Sequence, residues 1–288
     1  MGKLNQLADS TNSLLIPADA TKNEDLEFLI DESLKHFNGK IDFVLHSIGM
    51  SVNVRKGKAY TELNHDWLAK GWDVSAVSFH KLLQLLYNKD AMNKWGSIVA
   101  LSYMAAQRVF PNYNDMADNK AYLESVARSF GYFFGKEKKV RVNTISQSPT
   151  PTTAGKGVKG FDGFVSYAEK MSPLGNATAE ECADYTIMMF SDYTRKVTMQ
   201  NLFHDGGFSS VGVTQEIIDE TFKITKKAIY DTSIFKQRTK ENLLAGEHID
   251  WIWINEVWGG VKIGPNLPAM WRSTMGDNIN PIYIGINR

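Results

Sequence analysis

Short apolar runs rich in branched residues alternate with longer segments whose apolar residues recur every three to four positions, and this alternation constrains the fold more than any other feature. Residues 13–16 and 41–46 read as strands. Between them, residues 23–37 place Leu26, Leu29, Ile30, Leu34 and Phe37 along one helical face. The pattern continues with a helix over 67–86, a buried strand over 96–102, a helix over 116–134 and a strand over 140–145. A loop rich in Pro, Thr and Gly follows, then a helix over 179–190 and a last strand over 199–204. Strands that alternate with helices imply a parallel sheet covered on both faces, with ligands bound beyond the carboxyl ends of the strands. The positions to inspect are therefore Asp19 and Ala20, Ser47 to Gly49, Tyr103, the stretch 148–152, and 205–207.

From residue 214 the character changes. An amphipathic helix over 217–230 leads into an irregular stretch, 239–288, that carries Trp251, Trp253, Trp258 and Trp271. The expected organisation is an α/β domain over 1–213 and a carboxyl-terminal extension over 214–288 whose tryptophans form a small packed cluster. Formal net charge is zero, with 32 basic and 32 acidic residues, so no global field draws the chain to nucleic acid or an anionic membrane. The single cysteine, Cys182, excludes a disulfide framework and sits among helically spaced apolar residues as a packed thiol. No apolar run is long enough to span a bilayer, and the expected compartment is the cytoplasm. His46 and His204 read as hydrogen-bonded structural histidines, the basic run 55–58 as a solvated loop, and no metal-ligand spacing is present.

The densest chemical signal is the stretch 101–120, which puts Tyr103, Tyr113 and Lys120 at one strand end and the helix after it. Tyr113 and Lys120 are seven residues apart, two helical turns, and share a face if the helix begins near Tyr113. An ammonium beside a phenol favours the phenolate and can also hydrogen-bond sugar hydroxyls. Ser-Tyr, then Pro-Asn-Tyr, then a lysine seven residues on resembles the signature of the enoyl-acyl-carrier-protein reductases of the short-chain dehydrogenase/reductase superfamily. Further matches follow in chain order: His46-Ser-Ile-Gly49, Arg141-Val-Asn-Thr-Ile-Ser146, the loop from Pro149 to Ala154, and His204-Asp-Gly-Gly-Phe208. The likeness covers roughly residues 10 to 213. Ser148 departs from it, standing where the family often has glycine.

The resemblance implies a Rossmann-like doubly wound parallel sheet and reduction of trans-2-enoyl-acyl-carrier-protein by NADH or NADPH in fatty-acid biosynthesis. It implies that Tyr113 stabilises the developing enolate, that Lys120 holds the nicotinamide ribose, and that Tyr103 sits beside the substrate. Asp19 and Ala20 would border the adenine, Ser47, Ile48 and Gly49 would run under its ribose, and Pro149 and Thr152 would meet the pyrophosphate or carboxamide. The stretch 155–172 would be a flexible loop over the substrate, and the assembly a homotetramer. Against the family pattern, the opening strand, its glycine-rich turn and the following helix and strand are missing, so the chain reads as lacking its first βαβ unit. Two other readings stand beside the first. A carbonyl reductase of the same superfamily is disfavoured by the seven-residue spacing. A catalytically inactive truncated reductase, serving as a binding or assembly partner, is the alternative from a different class.

Overall fold

The computed structural model describes residues 2–150 and 160–230. The chain divides into two compact units, Met1–Ile218 and Asp219–Arg288; the sheet and every site residue discussed below belong to the first. Its elements in order are α1 (Gly2–Thr11), α2 (Asn23–Phe37), β1 (Ile41–His46), the short α3 (Val52–Arg55), α4 (His65–Trp72), α5 (Ser78–Asn88), β2 (Met92–Ser102), α6 (Asn114–Phe133), β3 (Arg141–Gln147), α7 (Phe161–Met171), α8 (Ala179–Phe190), β4 (Asn201–His204) and α9 (Gln215–Tyr230). The four strands form one parallel sheet in the order β1-β2-β3-β4. This is the parallel α/β sheet expected from the alternation, and the Rossmann-like architecture that the resemblance implies.

Alternating strand residues sort the core onto two faces. Ile98, Ala100 and Val142 point to one side, where α2, α5 and α6 supply Ile30, Phe79, Leu83, Leu86, Leu123, Val126 and Ala127. Val99 and Ile145 point to the other and pack on Met189 of α8. The chain therefore advances across the sheet in a single direction, yet its last crossover passes over the opposite face and has the opposite hand from those before it.

Gly96 is required where it stands. The register of β1 against β2 slips between Ile41 and Phe43, and a Cβ on Gly96 would lie 2.8 Å from the Asp42 carbonyl oxygen and 2.9 Å from that of Asn93. Arg141 and Asn143 of the Arg-Val-Asn motif serve the fold. The Arg141 guanidinium donates to the carbonyl oxygens of Thr194 (3.0 Å) and Met189 (2.8 Å), and the Asn143 amide donates to that of Val197 (2.9 Å), tying β3 to the end of α8 and the turn after it.

Three expectations are corrected. Residues 13–16 form no strand: they pair with no neighbour and leave Leu14 and Leu15 exposed, because strand propensity without a ladder partner yields only an extended segment. The helix expected over 67–86 is interrupted by a π-helical turn, Asp73–Val77, between α4 and α5. Of the supposed flexible stretch 155–172, residues 161–171 form α7, whose Ala168 and Met171 are buried; residues 155–159 lie outside the described residues, as do Thr152 and the tail tryptophans.

Candidate active site

The segments leaving β1, β2 and β3 at their carboxyl ends, together with the starts of α6, α7 and α8, enclose a cavity of about 530 Å³, within the range that binds cofactors and small substrates. Tyr103, Tyr113 and Lys120 line it, as do Ser47, Ile48, Gly49 and Pro149. Met116, Gln147, Phe161 and Phe164, none of them singled out in the sequence, also shape it, together with Thr150 and Cys182. Asp19 and Ala20 are not in the lining. They sit in the turn before α2, where Thr21 donates to the Asp19 carboxylate from its backbone N–H (3.0 Å) and its hydroxyl (2.7 Å), lowering the Asp19 pKa.

Helix α6 explains why phenol and ammonium converge. Tyr113 is its N-cap, with Asn114 the first helical residue, so two turns later Lys120 emerges on the same side. Lys120 is buried, and its Nζ donates to the Leu101 carbonyl oxygen at 2.7 Å. Gly49 of the β1 loop lies beside that ammonium, a Cβ there standing 3.9 Å from Nζ, an ordinary contact. Burial pulls the Lys120 pKa down to about 8, and the nearby Glu124 carboxylate opposes the shift.

The two phenols pack as a pair, ring centroids 5.2 Å apart and tilted by 57°. Phe110 and Phe164 close around Tyr103 with centroids at 5.4 and 6.0 Å. Burial raises the pKa of both phenols, and for Tyr103 the neighbouring Tyr113 and the Asp205 carboxylate add to the rise. Both are neutral donors near neutral pH. The Tyr103 hydroxyl is buried with no hydrogen-bond partner among the described residues. An orphaned donor beside a cavity is a signal for a ligand oxygen, since its desolvation is uncompensated until something accepts from it.

Several buried polar residues hold this rim, and of these Asp115 and Glu124 are not singled out in the sequence. The Asp115 carboxylate, in the first turn of α6, accepts from Ser51 Oγ (2.6 Å) and Asn53 Nδ2 (3.0 Å), fixing the loop after β1 against the helix. The Glu124 carboxylate accepts from Ser102 Oγ (2.7 Å) and Gln107 Nε2 (3.2 Å). His46 bonds through Nε2 to Ser78 Oγ at 3.0 Å, and because the Ser78 hydroxyl also reaches the Val74 carbonyl oxygen at 2.7 Å, His46 is the donor. Burial, reinforced by Lys120, lowers the His46 pKa to about 3, so the ring is neutral and structural. Cys182 is half-buried at the cavity wall, 3.8 Å from Thr150 Oγ1, and burial raises its thiol pKa, which keeps it protonated. Asp205 accepts from the backbone N–H groups of Gly207 (3.0 Å) and Ser209 (2.9 Å) and shapes the turn after β4.

The parallel sheet covered on both faces, with this cavity at its carboxyl rim, defines the class of fold as Rossmann-like. The family model described as enoyl-(acyl carrier protein) reductase matches residues 1–209. The chain is 31% identical over 201 residues to the NADH enoyl-acyl-carrier-protein reductase FabI of Bacillus subtilis, a match covering 69% of this chain and 76% of the relative. It superposes on the FabI-NADH complex from Alistipes finegoldii with a TM-score of 0.72 and 63% identity, over 73% of this chain and 75% of that one. The enoyl-acyl-carrier-protein reductase from Aquifex aeolicus superposes with a TM-score of 0.68 and 30% identity, over 73% and 82%. The chain belongs to the enoyl-acyl-carrier-protein reductase family.

Proposed function

We propose that the protein reduces the trans-2 double bond of enoyl thioesters carried on acyl carrier protein, with NADH as reductant, in fatty-acid biosynthesis. The observation that carries this reading is the convergence of Tyr103, Tyr113 and Lys120 on one cavity, with the Tyr103 hydroxyl left without a partner. The cofactor, when bound, supplies the hydride. The Lys120 ammonium offers donors to the nicotinamide ribose hydroxyls, while Ser47, Ile48 and Gly49, assigned to the adenine ribose, and Pro149, assigned to the pyrophosphate or carboxamide, line the same cavity. Asp19 and Ala20 are assigned to the adenine end and Thr152 to the pyrophosphate or carboxamide, on the family resemblance alone.

The chain's own chemistry is orientation and charge stabilisation. Tyr113, neutral because its pKa is raised, donates to the thioester carbonyl oxygen where negative charge develops. Tyr103 offers a second donor from the same wall, and the aromatic faces of Phe110 and Phe164 exclude water from the reacting carbons. Relatives named as NADH-dependent support that cofactor over NADPH. No helix among the described residues is long and apolar enough to cross a membrane. A cytoplasmic homotetramer is the proposed working form, testable by light scattering on the purified chain.

The test is fluorescence titration of the full chain with NADH, followed by addition of a trans-2-enoyl thioester. Saturable binding followed by loss of NADH signal on thioester addition is expected. Absence of saturable binding would overturn the assignment and favour the inactive alternative.

A further inference from the structure

Glu124 is an unexpected charge to find at the centre of α6. It is 4% exposed and faces the sheet together with Leu123 and Ala127, one helical turn beyond Lys120. Both of its oxygens are engaged at the end of β2: Ser102 Oγ donates to Oε1 at 2.7 Å and Gln107 Nε2 to Oε2 at 3.2 Å. Ser102 lies between the two residues that matter most at this strand end. Leu101 offers the carbonyl oxygen that Lys120 binds, and Tyr103 carries the unpartnered phenol. We infer that Glu124 is a positioning residue for the reductase site, clamping the carboxyl end of β2 to α6 so that Tyr103 and Lys120 keep a common wall, and keeping Lys120 in its ammonium form.

The second half of the inference follows from what surrounds Lys120. From β1 it faces His46, which is neutral; from the β2 end, Tyr103, and from the start of its own helix, Tyr113, both neutral phenols. Glu124 is the negative charge set against the burial that lowers the Lys120 pKa. An uncharged lysine could still accept a hydrogen bond, but it would present one donor fewer to a ribose and no positive charge beside Tyr113. Lys120 and Glu124 stand at i and i+4 on one face of α6, near enough for the carboxylate to act on the ammonium through space without a direct ion pair between them.

The inference rests on the reductase reading for its purpose, but its test does not need turnover. Lysine labelled with ¹³C at Cε is titrated by NMR in the full chain, the Lys120 signal being the one lost in Lys120→Arg. In the parent it should titrate near 8. In Glu124→Gln, close to isosteric, its midpoint should fall by about one pH unit or more. Glu124→Asp should restore part of that fall, and Ser102→Ala, which removes the hydroxyl and leaves the charge, should keep the parent midpoint. An unmoved midpoint in Glu124→Gln, or an equal fall in Ser102→Ala, overturns the inference. NADH turnover by the same samples reports on the reductase reading separately.

Discussion

Replacing Tyr103 by Phe should make the ligand-free protein more stable and the enzyme slower, two effects of opposite sign from one oxygen. The phenol is 7% exposed and its hydroxyl has no partner among the described residues. A buried polar group left unsatisfied costs about 1–3 kcal/mol. The ring makes the same contacts with Phe110, Tyr113 and Phe164 whether or not it carries the oxygen, so the substitution opens no appreciable cavity. Taking the low end, a gain of about 1 kcal/mol corresponds to a rise in Tm of roughly 2–4 °C for a domain of this size. Once substrate is bound, the hydroxyl gains an acceptor, and its removal should cost on the order of 1 kcal/mol of transition-state stabilisation, about a fivefold loss in kcat/KM. Calorimetric melting of parent and variant without ligand, paired with steady-state kinetics, reads both. An unchanged or lower Tm would show that the hydroxyl is already satisfied, and an unchanged kcat/KM would show that it does not meet the substrate.

Lys120→Met should weaken NADH binding at least tenfold while leaving the fold intact, since methionine fills the same channel and the one lost bond is to the Leu101 carbonyl oxygen; fluorescence titration checks this. The His46 pKa is depressed from 6.5 to about 3, so the unfolded chain binds the proton that the folded one refuses. Its contribution to stability is therefore complete above pH 6.5 and declines as pH falls toward 3, by up to about 1.4 kcal/mol per pH unit. Denaturant melts between pH 7 and pH 4 should show a shallower decline in His46→Gln than in the parent, and identical slopes would contradict the assignment.

The sheet and most helices are readable from periodicity because burial here is decided by apolar side chains. Strand β1 and helices α2 and α8 have the bounds that their patterns indicate. The pattern fails where tertiary partners decide. Residues 13–16 have strand composition without a neighbour to pair with; α7 is a different case, since Phe161, Phe164, Val165, Ala168 and Met171 recur at helical spacing and the sequence does show its stripe. The site was legible in part. Tyr103, Tyr113 and Lys120 stand out through their spacing, and the cavity does gather them. Asp115 and Glu124 do not stand out, nor does Asn119, which α6 buries on the same face, because a charged or amide residue on a helix is ordinarily a solvated one. The available signal was register: these three share a stripe with Met116, Leu123 and Ala127, the face that α6 turns inward. Polar residues inside an apolar stripe are the ones to suspect of holding a site.

The central claim is that the phenol of Tyr113 carries the developing charge on the thioester oxygen while Lys120 holds the cofactor beside it. The most direct measurement is kcat for NADH-dependent reduction of a trans-2-enoyl thioester by the parent and by Tyr113→Phe, alongside the NADH dissociation constant of each. A fall in kcat of roughly 10² to 10³ at unchanged NADH affinity is the predicted result, the loss expected on removing one oxyanion donor. Equal kcat in the two proteins would contradict the account.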